Sequence, residues 1–411
     1  MKRLFVVLVF IQVVTVSLAQ KNNLDYYVNQ AMVNSPLLKD FQGQLLSLRL
    51  DSQLIRAALR PQVNGIGNGL LAPIIGGWGY DEAITNKQQL TALLQVSKSF
   101  LSNKTIASQI ANLQIQSLSA ANNSKISQQD LRKAVIDQYI ITYGEQLQLD
   151  FSNYMNALLK REETLLKKLT QDNVYRQVDY LSFVVTLQQQ LLNASQQEIQ
   201  YNFDYTTLNY LAGIVDTAIV RLEDPRLNST ALGDFTNSVF YQQFVLDSLK
   251  LVNDKALVDL TYRPKFNVFA DAGYNTTFNY KPYKNIGTSI GVNVTIPLYD
   301  GKQKKLQYAK IDIQEQTRIA KRDFFIRQHD QQVLQLLQQL NATDRLIDQI
   351  NKQIKYTETL ITVNEQLLAT GDIRLTDFIL TLNNYYNAKN LVTQNYVSRL
   401  KIMNQLNYWS R

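Results

Sequence analysis

The sequence has no cysteine, a single histidine, and over 411 residues only seven prolines and fifteen glycines. Without sulfur there is no disulfide framework, thiol nucleophile, cysteine zinc site or lipid-modified amino-terminal cysteine. A catalytic triad would have only His329 to recruit as base, and no nucleophile-elbow pattern accompanies it. No enzyme activity, no cofactor and no metal site are therefore expected. Charge is also scarce, at 18% of residues, with a formal +8. Setting aside Lys2 and Arg3 leaves 40 basic against 34 acidic residues spread along the chain, which argues against a nucleic-acid groove. Polarity rests on glutamine and asparagine, as in the run 188–190, a composition suited to weakly charged, solvated helical faces.

Long apolar runs are missing too, apart from one at the start. Lys2 and Arg3 precede the apolar stretch Leu4 to Val16, and Ser17-Leu18-Ala19 gives a small-x-small exit, so residues 1–19 are expected to be an export signal cleaved after Ala19. The run falls short of the ~20 residues that span a bilayer. Any membrane-embedded part would then have to be a β-barrel.

What is present is helical periodicity, interrupted twice by strands. A helical stretch covers roughly residues 24 to 59. After Pro61 come Gly65, Gly67, Gly69 and the cluster 76–79, then Leu90, Ala92, Leu94 and Val96 alternating with polar residues, which reads as strand, turn and strand. Helix resumes near Lys104, and residues 214–238, with Asp224-Pro225 and Gly233, form the next clear break. The order then recurs. Leu59-Arg60-Pro61-Gln62-Val63-Asn64 is answered 203 positions later by Tyr262-Arg263-Pro264-Lys265-Phe266-Asn267; past the hairpin the offset is 198, pairing Arg176 with Arg374 and Asp179 with Asp377. The chain reads as an internal duplication. The first repeat, 20–213, holds a β-hairpin at 61–98, a long helix at 103–170 and a returning helix at 174–213. After the linker 214–238, the second repeat, 239–411, holds a hairpin at 264–297, a long helix at 302–368 and a returning helix at 374–409.

The second hairpin places Ile286, Thr288, Ile290, Val292, Val294 and Ile296 on one face and Gly287, Ser289, Gly291, Asn293 and Thr295 on the other. Such alternation fits a half-buried strand of a soluble sheet as well as a strand facing lipid. Phe278, Tyr280 and Tyr283 around the turn have the character of an interfacial aromatic girdle, and export without a spanning helix favours the lipid-facing reading.

The helices that follow the hairpins are too long for a compact globule. In the second, Ile319, Ile326, Val333, Leu340, Ile347, Ile354, Ile361 and Leu368 recur at every seventh position, a coiled-coil seam. The positions three later mix Leu336 and Ile350 with His329, Thr343, Thr357 and Asn364, so that flank is expected to face water, with His329 on the helix surface or lining a tunnel. Each long helix ends in a turn six residues before an aspartate, Asn173 before Asp179 and Gly371 before Asp377, and the aspartates are expected to cap the returning helices.

These residues resemble the TolC-like outer-membrane efflux family over essentially the whole chain past residue 19. The likeness rests on the segment Ala31 to Leu37, the repeated Arg-Pro before each hairpin, Ile296-Pro297-Leu298-Tyr299-Asp300-Gly301-Lys302, Gly371 to Asp377, and Tyr386-Asn387-Ala388-Lys389. The resemblance implies a mixed fold, a membrane β-barrel plus a long α-helical coiled-coil barrel. Three internally duplicated subunits would build a trimeric 12-stranded barrel with a periplasmic helical tunnel. Physics asks for something similar, since four strands cannot close a barrel and would leave bare edges in lipid. By the same resemblance, Asp179 and Asp377 with Arg176 and Arg374 line the periplasmic aperture, the turns at Asn173, Gly371 and Asp372 contact an adaptor, and Ile286, Ile290, Val292, Val294 and Ile296 face lipid. The sequence departs from the family at Leu380, where a second aspartate is often found, and at Asn173, which replaces a glycine.

The implied function is the outer-membrane channel of a tripartite efflux or type I secretion system in a Gram-negative bacterium, a passive duct extending into the periplasm. Its partners would be two further copies of itself, a periplasmic adaptor (membrane fusion) protein, an inner-membrane pump of RND or ABC type and outer-membrane lipid, with no nucleic acid. The alternatives are a cell-surface coiled-coil scaffold or adhesin without transport activity and, further off, a secreted enzyme.

Overall fold

The computed structural model describes residues 23–216, 218–228, 233–277 and 281–410. The expected signal segment, and Phe278 and Tyr280 of the expected aromatic girdle, lie outside these residues. The elements run α1 (Leu24–Asn34), α2 (Pro36–Ala58), β1 (Gln62–Leu71), a one-turn α3 (Glu82–Thr85), β2 (Gln88–Phe100), α4 (Asn103–Gln171) and α5 (Gln177–Ala212). They continue as a short 3-10 turn (Phe235–Asn237), α6 (Val239–Thr261), β3 (Lys265–Thr276), a second 3-10 turn (Pro282–Lys284), β4 (Ile286–Thr295), α7 (Gln303–Thr370) and α8 (Leu375–Trp409). The single helix expected over 24–59 is broken at Ser35, because Pro36 offers no N–H and biases its predecessor away from helix. Ser35 then caps the new helix through a bond from the Leu38 N–H to its Oγ at 3.4 Å.

The chain divides into two compact units, each drawing on both halves of the sequence. One comprises Asp40–Asn123 and Gln242–Asp323 and contains all four strands. They form one antiparallel sheet in the order β1-β2-β3-β4, so the two hairpins are joined through β2 and β3. Register fixes the faces. Ile286, Thr288, Ile290, Val292 and Val294 pair with Tyr274, Ala272, Ala270, Val268 and Phe266, and these continue across β2 through Ala92, Leu94, Val96, Lys98 and Phe100. The opposite face carries cross-strand polar bonds, Ser289 Oγ to Asp271 Oδ1 at 2.8 Å and Thr91 Oγ1 to Asn275 Oδ1 at 3.2 Å. There the Phe269 ring covers Gly291, where a Cβ would come within 2.4 Å of it.

The other unit comprises the chain up to Lys39, Ser124–Tyr241 and Phe324 onward. One apolar cluster unites α4, α5, α7 and α8 around Leu166, Phe183, Leu368, Phe378 and Leu382. The Phe183 and Phe378 rings stack at 6.4 Å with planes 5° apart. A second cluster gathers Tyr27, Tyr139, Ile140, Tyr205 and Leu208. Between α4 and α8 the backbones come close, since a Cβ on Gly144 would fall 2.4 Å from Val397 Cγ2. The segment after α5 is tied down by side chains. Gln146 donates to the Leu222 carbonyl at 3.1 Å and accepts its N–H at 2.7 Å, Tyr139 donates to the Glu223 carbonyl at 2.7 Å, and Arg221 pairs with Asp150.

The every-seventh seam of α7 enters the core from Val333 onward, with Ile354, Ile361 and Leu368 buried, whereas Ile319 near the start of α7 is exposed. The companion flank does not face water as expected. His329, Ile350 and Asn364 on it are buried, the last donating to Thr381 Oγ1 at 2.9 Å. His329 is neither a surface nor a tunnel-lining residue. Its ring stacks on Phe235 at 4.0 Å and meets Trp409 edge-on at 5.6 Å, while Nδ1 lies 3.0 Å from Asp330 Oδ1. Aromatic residues distant in sequence, including one from the linker, close over the imidazole, which helix periodicity could not show.

Candidate functional site: paired helix turns and an exposed apolar sheet face

The turns joining α4 to α5 and α7 to α8 have the same construction. In the first, the Asn173 N–H donates to the Thr170 carbonyl and the Val174 N–H to the Leu169 carbonyl; in the second, Gly371 and Asp372 donate to Leu368 and Leu367. Both are left-handed helix ends of Schellman type, with φ of 59° at Asn173 and 81° at Gly371. The turns touch. A Cβ on Gly371 would lie 2.5 Å from Val174 Cγ1, and buried Tyr175 donates its hydroxyl to the Ile373 carbonyl at 2.9 Å. Tyr175 and Ile373 are duplication partners at the 198 offset, so the first repeat's turn holds the second at the equivalent place. Nothing in the apolar pattern points to this clasp; only the alignment of the two repeats could have drawn attention to it.

The aspartates do not stand at the capping position expected of them. Arg176 and Arg374 are the residues preceding α5 and α8, and Asp179 and Asp377 sit three residues on, in the first turns. Asp179 still satisfies one orphan donor, accepting the Arg176 backbone N–H at 3.3 Å, and it holds the guanidinium through Nε at 3.1 Å and Nη2 at 3.4 Å. That bond raises the Arg176 pKa further above its ordinary value. The second turn is not its copy. Among the described residues Arg374 makes no ion pair, and Asp377 and Asp372 are exposed carboxylates. Leu380 is 59% exposed. A little back along the helices, Arg161 joins buried Glu162 at 2.8 Å to Glu365 at 2.7 Å, a cluster unforeseen from the sequence. Burial, then the neighbouring charge of Glu162, raises the Glu365 pKa, partly offset by Arg161.

In the other unit the apolar sheet face is bare. Ile290 is 83% exposed, and Ile286, Val292, Val294 and Phe266 are exposed beside it. Ile296, expected to end the strand, lies one residue past β4 and is also exposed, because Pro297 follows it and cannot continue a ladder. β1 and β4 are sheet edges with no further strand beside them among the described residues. No described helix is long and apolar enough to cross a membrane, and no cluster of three metal-ligating side chains occurs among the described residues.

The four-stranded antiparallel sheet and the two very long helices, each returning through a tight turn, give the chain a TolC-like fold. No protein-family profile matches the sequence, and no curated protein matches it either. Solved structures do match in fold. A membrane protein from Pseudomonas aeruginosa aligns with a TM-score of 0.75 at 14% identity, over 94% of this chain and 93% of that one. The outer membrane protein VceC from Vibrio cholerae aligns at 0.75 and 11%, over 94% and 96%. CusC, studied for its folding and transmembrane channel formation, aligns at 0.74 and 10%, over 94% and 92%.

Proposed function

We propose that the protein is an outer-membrane channel, the passive duct of a tripartite efflux or type I secretion system, residing in the outer membrane of a Gram-negative bacterium and reaching into the periplasm. The observation that carries this reading is the open sheet with an exposed apolar face, a polar opposite face and two bare edges. Such a sheet is unstable alone in water or lipid, and three copies supply the twelve strands of a closed barrel. The apolar face then meets lipid and the polar face lines water. The fold shared with VceC, an outer membrane protein, and with CusC, studied for its transmembrane channel formation, supports the channel reading.

On this reading the two clasped turns form the periplasmic aperture. Asp179, Asp377, Arg176 and Arg374 surround it, and the turns at Asn173, Gly371 and Asp372 receive a periplasmic adaptor that links the duct to an inner-membrane pump of RND or ABC type. Adaptor binding opens the mouth by preferring splayed helices over the closed clasp. Cargo is selected by the pump, because a wide water-filled duct needs no selective pocket. Native mass measurement of the detergent-extracted protein should give a trimer, and the trimer should conduct ions in planar bilayers. A stable monomer without conductance would overturn the proposal.

A further inference from the structure

Where α1, α4, α8 and the segment after α5 meet, a single compact unit holds a polar cleft of about 350 Å³. Gln129, Arg132, Lys133 and Ile136 line it at the i, i+3, i+4, i+7 spacing of one face of α4, and Arg226 lines it from the segment after α5. Arg132 is the anomaly there. Its Nε is shielded from solvent and makes no hydrogen bond, and its guanidinium holds no carboxylate among the described residues. The acids around it are engaged by other groups. On α4 itself Asp130 accepts the Tyr408 hydroxyl at 2.6 Å, while Asp137 is held by Lys133 at 2.7 Å and by the Asn404 amide at 2.8 Å. Asp224, on the cleft wall, accepts the Tyr396 hydroxyl at 3.1 Å and the Arg226 N–H at 3.0 Å. Asp25, the other acid lining the cleft, stands exposed in the first turn of α1, where the helix dipole favours a carboxylate.

A shielded donor without a partner is destabilising, and folded proteins leave few of them. The edge of a guanidinium that carries Nε offers two parallel N–H groups, the fork that fits a carboxylate. Charge narrows the ligand. Three basic side chains against two acidic ones line the cleft, an excess of one, which suits a monoanion better than a doubly charged phosphate. Size and lining narrow it further, since the volume lies at the small end of ligand pockets and the amides of Asn23 and Gln129 offer donors and acceptors to hydroxyl groups. We propose that this cleft binds a small hydroxylated carboxylic acid of the sugar-acid class, with Arg132 anchoring the carboxylate and Arg226 supplying the second positive charge. The site is independent of the duct reading, because conduction through a wide channel does not require it.

The test is isothermal titration calorimetry of the full chain purified in detergent, with D-glucuronate and D-gluconate as probes and D-glucose and inorganic phosphate as comparisons. At least one of the two acids should bind once per chain, at least about tenfold more tightly than glucose or phosphate. Arg132→Gln should weaken that binding by about tenfold or more, the usual consequence of losing hydrogen bonds to a charged group. Arg226→Gln, on the exposed segment, should weaken it by a smaller factor, and it carries the test if Arg132→Gln does not fold. Lys160→Gln makes the same change of charge ~40 Å further along α4 and should leave the affinity unaltered. No binding of either acid by the wild-type chain, equal binding of glucose, tighter binding of phosphate, or undiminished affinity in both cleft variants would each overturn the site.

Discussion

Placing arginine along the apolar row of β4 offers the sharpest measure of which way the sheet faces. The strand has 10 residues. At ~3.4 Å per residue and a tilt of ~40°, it climbs ~25 Å, the height of the apolar band of an outer-membrane barrel. Ile286 then sits at one border, Ile290 at mid-band, and Val292 between the middle and the other border. Arginine on a lipid face costs about 2–4 kcal/mol at the midplane and about 0–1 near the interfaces. Ile290→Arg should therefore shift the folded-to-unfolded ratio by roughly 30- to 700-fold, Val292→Arg by less, and Ile286→Arg by little. Asn293 lies on the opposite face, paired with Asn267, so Asn293→Arg should be nearly neutral if that face lines water. Urea titration of the protein refolded into lipid vesicles, read by gel mobility of the folded form, ranks the four variants. Equal damage at Val292 and Asn293, or damage that does not peak at Ile290, would refute the facing and the depth assignment together.

The clasp gives a second set of outcomes. Gly371→Ala should lower the thermal midpoint, since the left-handed conformation costs about 1–2 kcal/mol for a side chain and the new Cβ meets Val174. Adding Val174→Ala should recover the steric part, while Asn173→Gly should be neutral or stabilising; equal loss at Gly371 and Asn173 would show that the turns do not touch as described. Arg176→Ser should raise single-channel conductance by freeing Asp179 to repel its neighbours, whereas Arg374→Ser should change it little because Arg374 holds no carboxylate; identical responses would place the gate elsewhere. Glu145 is half-buried, and burial followed by the charge of Asp204 raises its pKa above the ordinary carboxyl value. The folded state thus holds that proton more tightly than the unfolded state, and stability falls as pH rises from the ordinary carboxyl range through the raised value. Thermal midpoints of wild type and Glu145→Gln between pH 4 and 8 should converge at the acid end and favour the variant at the neutral end; parallel curves would refute the assignment.

The sequence alone determined whatever depends on local period and chain order. Alternation over Ile286 to Val294 yields a strand with one greasy face because a pleated chain sends neighbours to opposite sides. The every-seventh spacing from Val333 to Leu368 yields a long helix with a buried seam because a coiled coil repeats with that period. Arg-Pro before each hairpin, and a left-handed-permissive residue six before each aspartate, exposed the likeness of the two halves. Tertiary structure decided what depends on partners far apart in the chain. It made the β2 to β3 junction that merges two hairpins into one sheet, and it closed Phe235 and Trp409 over His329, turning an expected surface residue into a core one. It also set Tyr175 on the Ile373 carbonyl and gave Asp179 an arginine partner that Asp377 lacks among the described residues, although both motifs read alike in sequence. Those outcomes follow from which backbones meet and at what distance, and a one-dimensional pattern, which records spacing but not approach, does not contain them.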